Sequence, residues 1–232
     1  MLKKGAFKGK CDFMKMHASP PLLSDRTQEI AVIVGELNMQ SSDLYKKRIM
    51  ADAFYSHENY TNNGEELIND ISLVHLSTSI EYNERVQPIR LPASDIGSLD
   101  GDKVVMSGWG RTSTHGDTSP VLRFVESIAI PNKICQLAYL AFGKIRDSNL
   151  CVSGWFMKGT CLGDSGGPLA IIEDDGKPTL VGIISFVLKY SCNLSFPPVF
   201  TRVSSFVPWI LTAIEDMKRG RNAKSRAVRL LL

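Results

Sequence analysis

The sequence predicts an all-β protein, an antiparallel barrel or sandwich, with a helix near its C-terminus. Three observations carry that expectation. Short apolar runs recur along the chain, each bounded by Gly, Pro, Asn, Asp or other polar residues. No stretch alternates strand with amphipathic helix in the manner of a βαβ unit. A hydrophobic content of 44% and a charged content of 22% over 232 residues suit one large domain or two small ones, without repeats or low-complexity tracts.

In order, the strand-like runs are Ile30–Val34, broken by Gly35-Glu36, then Arg48–Phe54, Ile71–Leu76, Lys103–Trp109, Leu122–Ile130, Pro168–Ile172, Leu180–Phe186 and Val199–Val203. Two helices are expected besides. Asn132 is placed to cap a short one through Ile134 to Leu140. Ser204-Ser205 opens a longer one, in which Phe206, Trp209, Ile210 and Ile214 recur at helical spacing. Pro88 to Asp102, where Pro, Gly, Asp and Ser accumulate, reads as a linker. Residues 1–23 form an atypical N-terminal segment, lysine-rich and without a strand pattern, carrying Cys11 and His17.

Charge and cysteine usage narrow the classes further. The formal net charge of +3 hides an asymmetry, because the tail of residues 218–232 holds six Lys and Arg and no acid, leaving −3 on the rest. Such a tail reads as solvated, and the body offers no basic footprint for nucleic acid. No apolar run reaches the roughly 18 residues of a membrane helix. The basic start has no apolar stretch behind it, so no signal peptide is visible. Five well-separated cysteines nevertheless read as a disulfide framework missing one partner. The expectation is an extracellular type of chain that lacks its beginning.

The chemistry concentrates in Gly163-Asp164-Ser165-Gly166-Gly167-Pro168. Glycine reaches backbone angles that crowd other residues, so this turn can project the Ser165 hydroxyl into a cleft. The N–H groups of Gly163 and Ser165 are then free to converge where an oxyanion would sit. A Gly-x-Ser-x-Gly frame also occurs in α/β-hydrolases, whose triad runs Ser, then acid, then His. That order fails, because His17, His57, His75 and His115 all precede Ser165.

The hexapeptide resembles the nucleophile signature of chymotrypsin-like (trypsin-family) serine proteases. The resemblance spans roughly Leu23 to Ile214. It takes in Asn69-Asp70-Ile71-Ser72-Leu73 as a catalytic-aspartate strand, Gly108-Trp109-Gly110 as a turn of the second barrel, and Pro197-Pro198-Val199-Phe200-Thr201-Arg202-Val203 as the last strand. It implies two antiparallel six-stranded-type barrels, the first incomplete, and a C-terminal helix. The protease domain would run over 24–217, with the first barrel at about 24–90 and the second barrel plus helix at about 103–217.

By the same resemblance Ser165 is the nucleophile, Asp70 the buried carboxylate that orients the base, and Ser185 a serine that hydrogen-bonds that carboxylate. Gly163 and Ser165 supply the oxyanion donors. The family's Thr-Ala-Ala-His-Cys sequence is absent, which leaves His17 as the upstream candidate for the base, while His57, His75 and His115 read as surface or core residues. The pocket would be formed by Gly159, Ser185, Val187 and Pro198, narrow and apolar, taking small residues. Disulfides Cys135–Cys151 and Cys161–Cys192 are implied, with Cys11 left over. Neither cofactor nor metal is implied: calcium, bound by some members, would need a second carboxylate where Lys46 stands opposite Glu36. The activating Ile-Val-Gly-Gly sequence is also missing, so a buried Asp164 must be neutralised or satisfied by backbone donors.

The resulting expectation is a monomeric serine-type endopeptidase acting on protein or peptide substrates through an acyl-enzyme, open to protease inhibitors, with no nucleic-acid or membrane partner. Two alternatives stand beside it: a non-catalytic homologue that keeps the fold as a binding module, and an incomplete product of an active protease. Asn59-Tyr60-Thr61 and Asn193-Leu194-Ser195 are glycosylation sequons, meaningful only in a secreted chain.

Overall fold

A computed structural model describes residues 30–41, 44–63, 66–155, 159–188, 192 and 195–218. Cys11, His17 and the rest of the 1–23 segment lie outside the described residues, as does the tail beyond residue 218.

Two β units make up the described chain. In the first, strands β1 (Ala31–Val34), β2 (Lys47–Ser56) and β5 (Ser72–Leu76) form an antiparallel sheet in the order β1-β2-β5. A ribbon of β3 (Thr61–Asn62) and β4 (Leu67–Ile68) separates β2 from β5 in sequence. The second unit comprises β6 (Lys103–Gly108), β7 (Arg123–Ile130), β8 (Asn149–Val152), β9 (Pro168–Ile172), β10 (Pro178–Phe186) and β11 (Val199–Arg202). These close into a six-stranded barrel in the order β10-β11-β8-β7-β6-β9. Closure pairs every strand on both sides and leaves no exposed edge.

Burial explains why the barrel strands read as nearly continuous apolar runs. Val104, Met106, Leu150, Leu169, Ile184 and Phe200 fill the barrel interior. Leu180 and Ile183 of β10 face outward, into a second cluster with Ile71 and Leu73 of the sheet unit. Val203, Phe206, Ile210 and Met217 complete that cluster from the C-terminal segment, so the helix there seals the seam between the units. The sheet keeps a smaller core of its own around Val32, Val34, Ile49, Leu76, Ile80 and Val86. Arg90, in the connection between units, pairs with Thr179 in a parallel bridge, and its guanidinium meets both oxygens of Asp175 at 3.0 and 2.9 Å.

Local chemistry shifts both helix starts from the sequence expectation. Helix α1 covers Asn132–Ala138, with Pro131 as its N-cap and no side-chain cap bond. Asn132 is already helical, and its amide instead donates to the carbonyls of Arg146 (2.9 Å) and Asn149 (3.0 Å). Likewise Ser204 and Ser205 lie inside a 3-10 turn at Val203–Phe206, and helix α2 begins only at Val207, running to Lys218. Cys135 of α1 bonds to Cys151 of β8, and Cys161 to Cys192.

Candidate active site

The hexapeptide folds as a turn entering β9. Gly163 has φ 97° and Gly166 φ 77°, the left-handed region that side chains other than glycine resist. The Asp164 N–H donates to the Cys161 carbonyl at 3.0 Å, and the Gly167 N–H to the Asp164 carbonyl at 2.8 Å. Gly166 and Ile184 complete the anchoring: the Gly166 N–H reaches the Ile184 carbonyl and the Ile184 N–H reaches the Gly167 carbonyl, both at 2.8 Å. The turn is therefore stitched to the end of β10. Among the described residues neither the Gly163 nor the Ser165 N–H donates to a protein acceptor, so both remain open to an external oxygen.

Stitching at Ile184 sets the next residue, Ser185, whose hydroxyl donates to Oδ2 of Asp70 at 2.5 Å across a sequence separation of 115 residues. Asp70 comes from the other unit, two residues before β5, and is buried. Its backbone carbonyl accepts from the Thr201 hydroxyl at 2.7 Å. Asn69, with φ 53°, turns the chain just ahead and ties back through its amide to the Asn59 carbonyl at 2.9 Å. Two barrel strands thus hold the carboxylate residue from opposite sides. Burial pushes the Asp70 carboxyl up to about 6, the Ser185 hydroxyl opposing that rise.

Asp164, also buried, has its carboxylate met by backbone donors. The Gly110 N–H donates to Oδ1 at 2.7 Å and the Cys161 N–H to Oδ2 at 3.0 Å. Of the two ways a buried Asp164 could be accommodated, backbone donation is present. The glycines of Gly108-Trp109-Gly110 make it possible, because a Cβ at either position would run into that carboxylate.

The described histidines are engaged or exposed, although the His57 backbone N–H reaches the carbonyl of Ile71, beside Asp70, at 3.1 Å. His57 stacks edge-on to Phe206 at 5.6 Å and lies tilted against Trp209 at 5.0 Å, while its Nδ1 accepts the Asn59 N–H at 3.2 Å. His75 is buried on β5 with Nδ1 against the Asp52 carboxylate. His115 is exposed in a loop of the barrel unit. Among the described residues no histidine hydrogen-bonds to Asp70 or Ser165. His17 lies outside those residues.

Of the expected pocket residues, Gly159 sits in a bend before Cys161 with open space beside its Cα, a Cβ there meeting no heavy atom within 4 Å. Val187 follows β10 half-buried, and Pro198 is buried with its carbonyl accepting the Val152 N–H at 3.2 Å. Among the described residues, no three His, Cys, Asp or Glu side chains gather as a metal site would require. Sequence reasoning did not single out Thr201 or the link from Gly110 to Asp164. Gly110 and Thr201 lie within Gly108-Trp109-Gly110 and the last-strand motif, where nothing local says what they touch.

A family model described as Trypsin matches residues 22–210. The chain is 38% identical to Trypsin-1 of Astacus astacus over 185 residues, covering 78% of this chain and 74% of that protein. It is 31% identical to Chymotrypsin-like elastase family member 1 of Canis lupus familiaris, over 82% of this chain and 74% of the relative. Brachyurin of Leptuca pugilator is 33% identical over 79% of this chain and 76% of its own length. Among solved structures, that of GrC superposes with a TM-score of 0.71 at 27% identity, covering 81% of this chain and 78% of the other.

Proposed function

Because the chain belongs to the trypsin family of chymotrypsin-like serine proteases, we propose that it is a serine-type endopeptidase whose nucleophile is Ser165. The observation that carries this reading is the hydrogen bond from Ser185 to Asp70 beside the Gly163–Gly167 turn. One bond joins the carboxylate of the sheet unit to the strand that anchors the nucleophile turn. Ser165 Oγ would attack the scissile carbonyl, giving its proton to a base and the new oxyanion to the Gly163 and Ser165 N–H groups. The same proton then passes to the leaving amine, and water releases the acyl group. Asp70 would hold the base in the correct tautomer and stabilise its imidazolium.

His17 is our candidate for that base. Gly159, Ser185, Val187 and Pro198 would bound a narrow apolar pocket for small residues, the open space at Gly159 fitting a pocket floor. A protein domain over 24–217, divided at about 90–103, would carry the nucleophile, the acid and the pocket, with His17 supplied from the segment before it. Proteases of this family are typically secreted, and both described disulfides suit an oxidising compartment. Protein or peptide chains are the substrates this reading requires, and an inhibitor would compete by occupying the same pocket in a monomeric enzyme.

A second reading has one observation in its favour: among the described residues none of His57, His75 and His115 hydrogen-bonds to Asp70. If His17 does not serve, the chain is a non-catalytic homologue acting as a binding module or an incomplete product of an active protease. Labelling with an organofluorophosphonate separates the two, because the reagent needs an activated serine. The protease reading expects labelling that Ser165→Ala abolishes and His17→Ala reduces by about 10^4-fold or more. A folded wild-type chain that resists the reagent would overturn activity of this chain, and labelling restored by an added upstream segment would select an incomplete product of an active protease over the binding module.

A further inference from the structure

The loop after β1 contains a carboxylate, a cation and a bracing contact that the catalytic reading leaves unused. Glu36 is buried, and its Oε1 accepts the Asn38 N–H at 2.8 Å and the Ser41 hydroxyl at 3.0 Å. The ammonium of Lys46 lies 3.5 Å from Oε2 and donates to the carbonyls of Met39 (3.2 Å) and Ser41 (3.0 Å). Two carbonyls and a carboxylate converging on one positive centre make a cation seat, filled here from the chain itself. Burial would push the Glu36 carboxyl up, yet the Asn38 and Ser41 donors and the Lys46 charge together hold it below its usual range.

The same loop is hydrogen-bonded to the other unit. The Met39 N–H donates to the Pro120 carbonyl at 2.8 Å, the Leu122 N–H to the Leu37 carbonyl at 2.7 Å, and Asn38 bridges Val121. One residue earlier, the Ser119 N–H is shared between the carbonyls of Trp109 (3.0 Å) and Gly110 (3.1 Å). Gly110 in turn donates to Asp164, next to the nucleophile. The path from Lys46 to the turn therefore runs through short, directional backbone contacts between two side-chain ends, the Lys46 ammonium and the Asp164 carboxylate.

We propose that Lys46 is the resident cation of the 36–46 loop and a positioning residue for the nucleophile turn, acting through the brace of 37–39 on 120–122. With the ammonium in place, the loop needs no dissolved ion to hold the brace. Its role toward the turn rests on reading Ser165 as the nucleophile, whereas the brace itself does not depend on hydrolysis.

Hydrogen–deuterium exchange on the full chain tests this, read in peptides spanning 37–41, 107–111 and 161–167. Lys46→Met should speed exchange about tenfold in all three, the effect of losing one charge-assisted contact set. Glu36→Gln combined with Lys46→Met should lie closer to wild type than the single variant, because it also removes the stranded carboxylate charge. Millimolar calcium should leave wild-type exchange unchanged. An effect of Lys46→Met confined to 37–41 would overturn the positioning role, and a double variant no better than the single would overturn the electrostatic one. Calcium-dependent protection of the wild type would refute a seat already filled by lysine. Failure of wild-type labelling by fluorophosphonate, with the exchange results as expected, would count against the protease reading alone.

Discussion

The barrel unit holds itself together, and the sheet unit is held by the barrel. Six strands closed on one another, two disulfides and a filled interior stabilise the unit that carries Ser165. The three-stranded sheet has two edges, no disulfide among the described residues, and a smaller core. Asp70 belongs to the sheet unit, two residues before its edge strand, yet its carboxylate and its carbonyl are both bonded to side chains of the barrel. The site's geometry is therefore fixed from one side. Position at the barrel comes from covalent and backbone ties, and position at the sheet is borrowed across the seam.

Reduction of both disulfides should break this asymmetry most. Loops of 16 and 31 residues are closed by the two bonds. Opening them should cost about 3 and about 4 kcal/mol by chain entropy. Urea unfolding with and without reductant should therefore show the barrel's loss, and an unchanged midpoint would mean that closure alone stabilises it. Next comes Gly110→Ala, whose new Cβ would collide with the Asp164 carboxylate and displace its Oδ1 donor. A loss of about 3 kcal/mol is expected from overpacking and an unsatisfied buried carboxylate, together with abolished Ser165 labelling.

Asp70→Asn should give a change no larger than that, vanishing at low pH, and of opposite sign. The folded carboxyl sits at about 6 against a usual 3.8, so the folded state holds its proton more tightly than the unfolded chain. That contribution is fully present below about pH 4 and is lost as pH rises through about 6, after which the charged group bears the whole cost of burial. Asparagine removes the cost while keeping an acceptor for Ser185. At pH 8 the variant should be more stable by up to about 3 kcal/mol, with the advantage gone at pH 4. Thermal melts across that range would show it, and a variant that is less stable at pH 8 would mean the charged form is better solvated than its burial implies. Any serine reactivity should fall at the same time, stability and function pulling apart at one residue.

The parts of the molecule legible in the sequence are those whose pattern is local. Runs such as Lys103–Trp109 and Leu180–Phe186 lie on strands β6 and β10, differing only at the ends, because length and apolar content suffice to mark a barrel strand. Asn149–Val152 gave no such signal: four residues, all buried, without alternation. The ribbon of β3 and β4, two residues each, is shorter than any periodicity. At the site, the glycine turn and the acid could be read because each sits in a distinctive short motif. Their joining could not, since Ser185 to Asp70 and Thr201 to Asp70 span 115 and 131 residues and depend on how two units dock. Asn132 shows the opposite failure, a residue type suited to capping that is drawn instead to two carbonyls of a neighbouring loop.

The seam sealed by α2 has a consequence for the order of events during synthesis. Ile71, next to Asp70, is clamped by Val203, Phe206, Ile210 and Met217, all supplied by the C-terminal stretch. A ribosome-bound chain that has made every residue of the nucleophile turn still lacks the pieces that press the acid's strand onto the barrel. Docking of the acid's strand onto the barrel therefore needs residues as late as 217, far beyond the nucleophile turn in sequence.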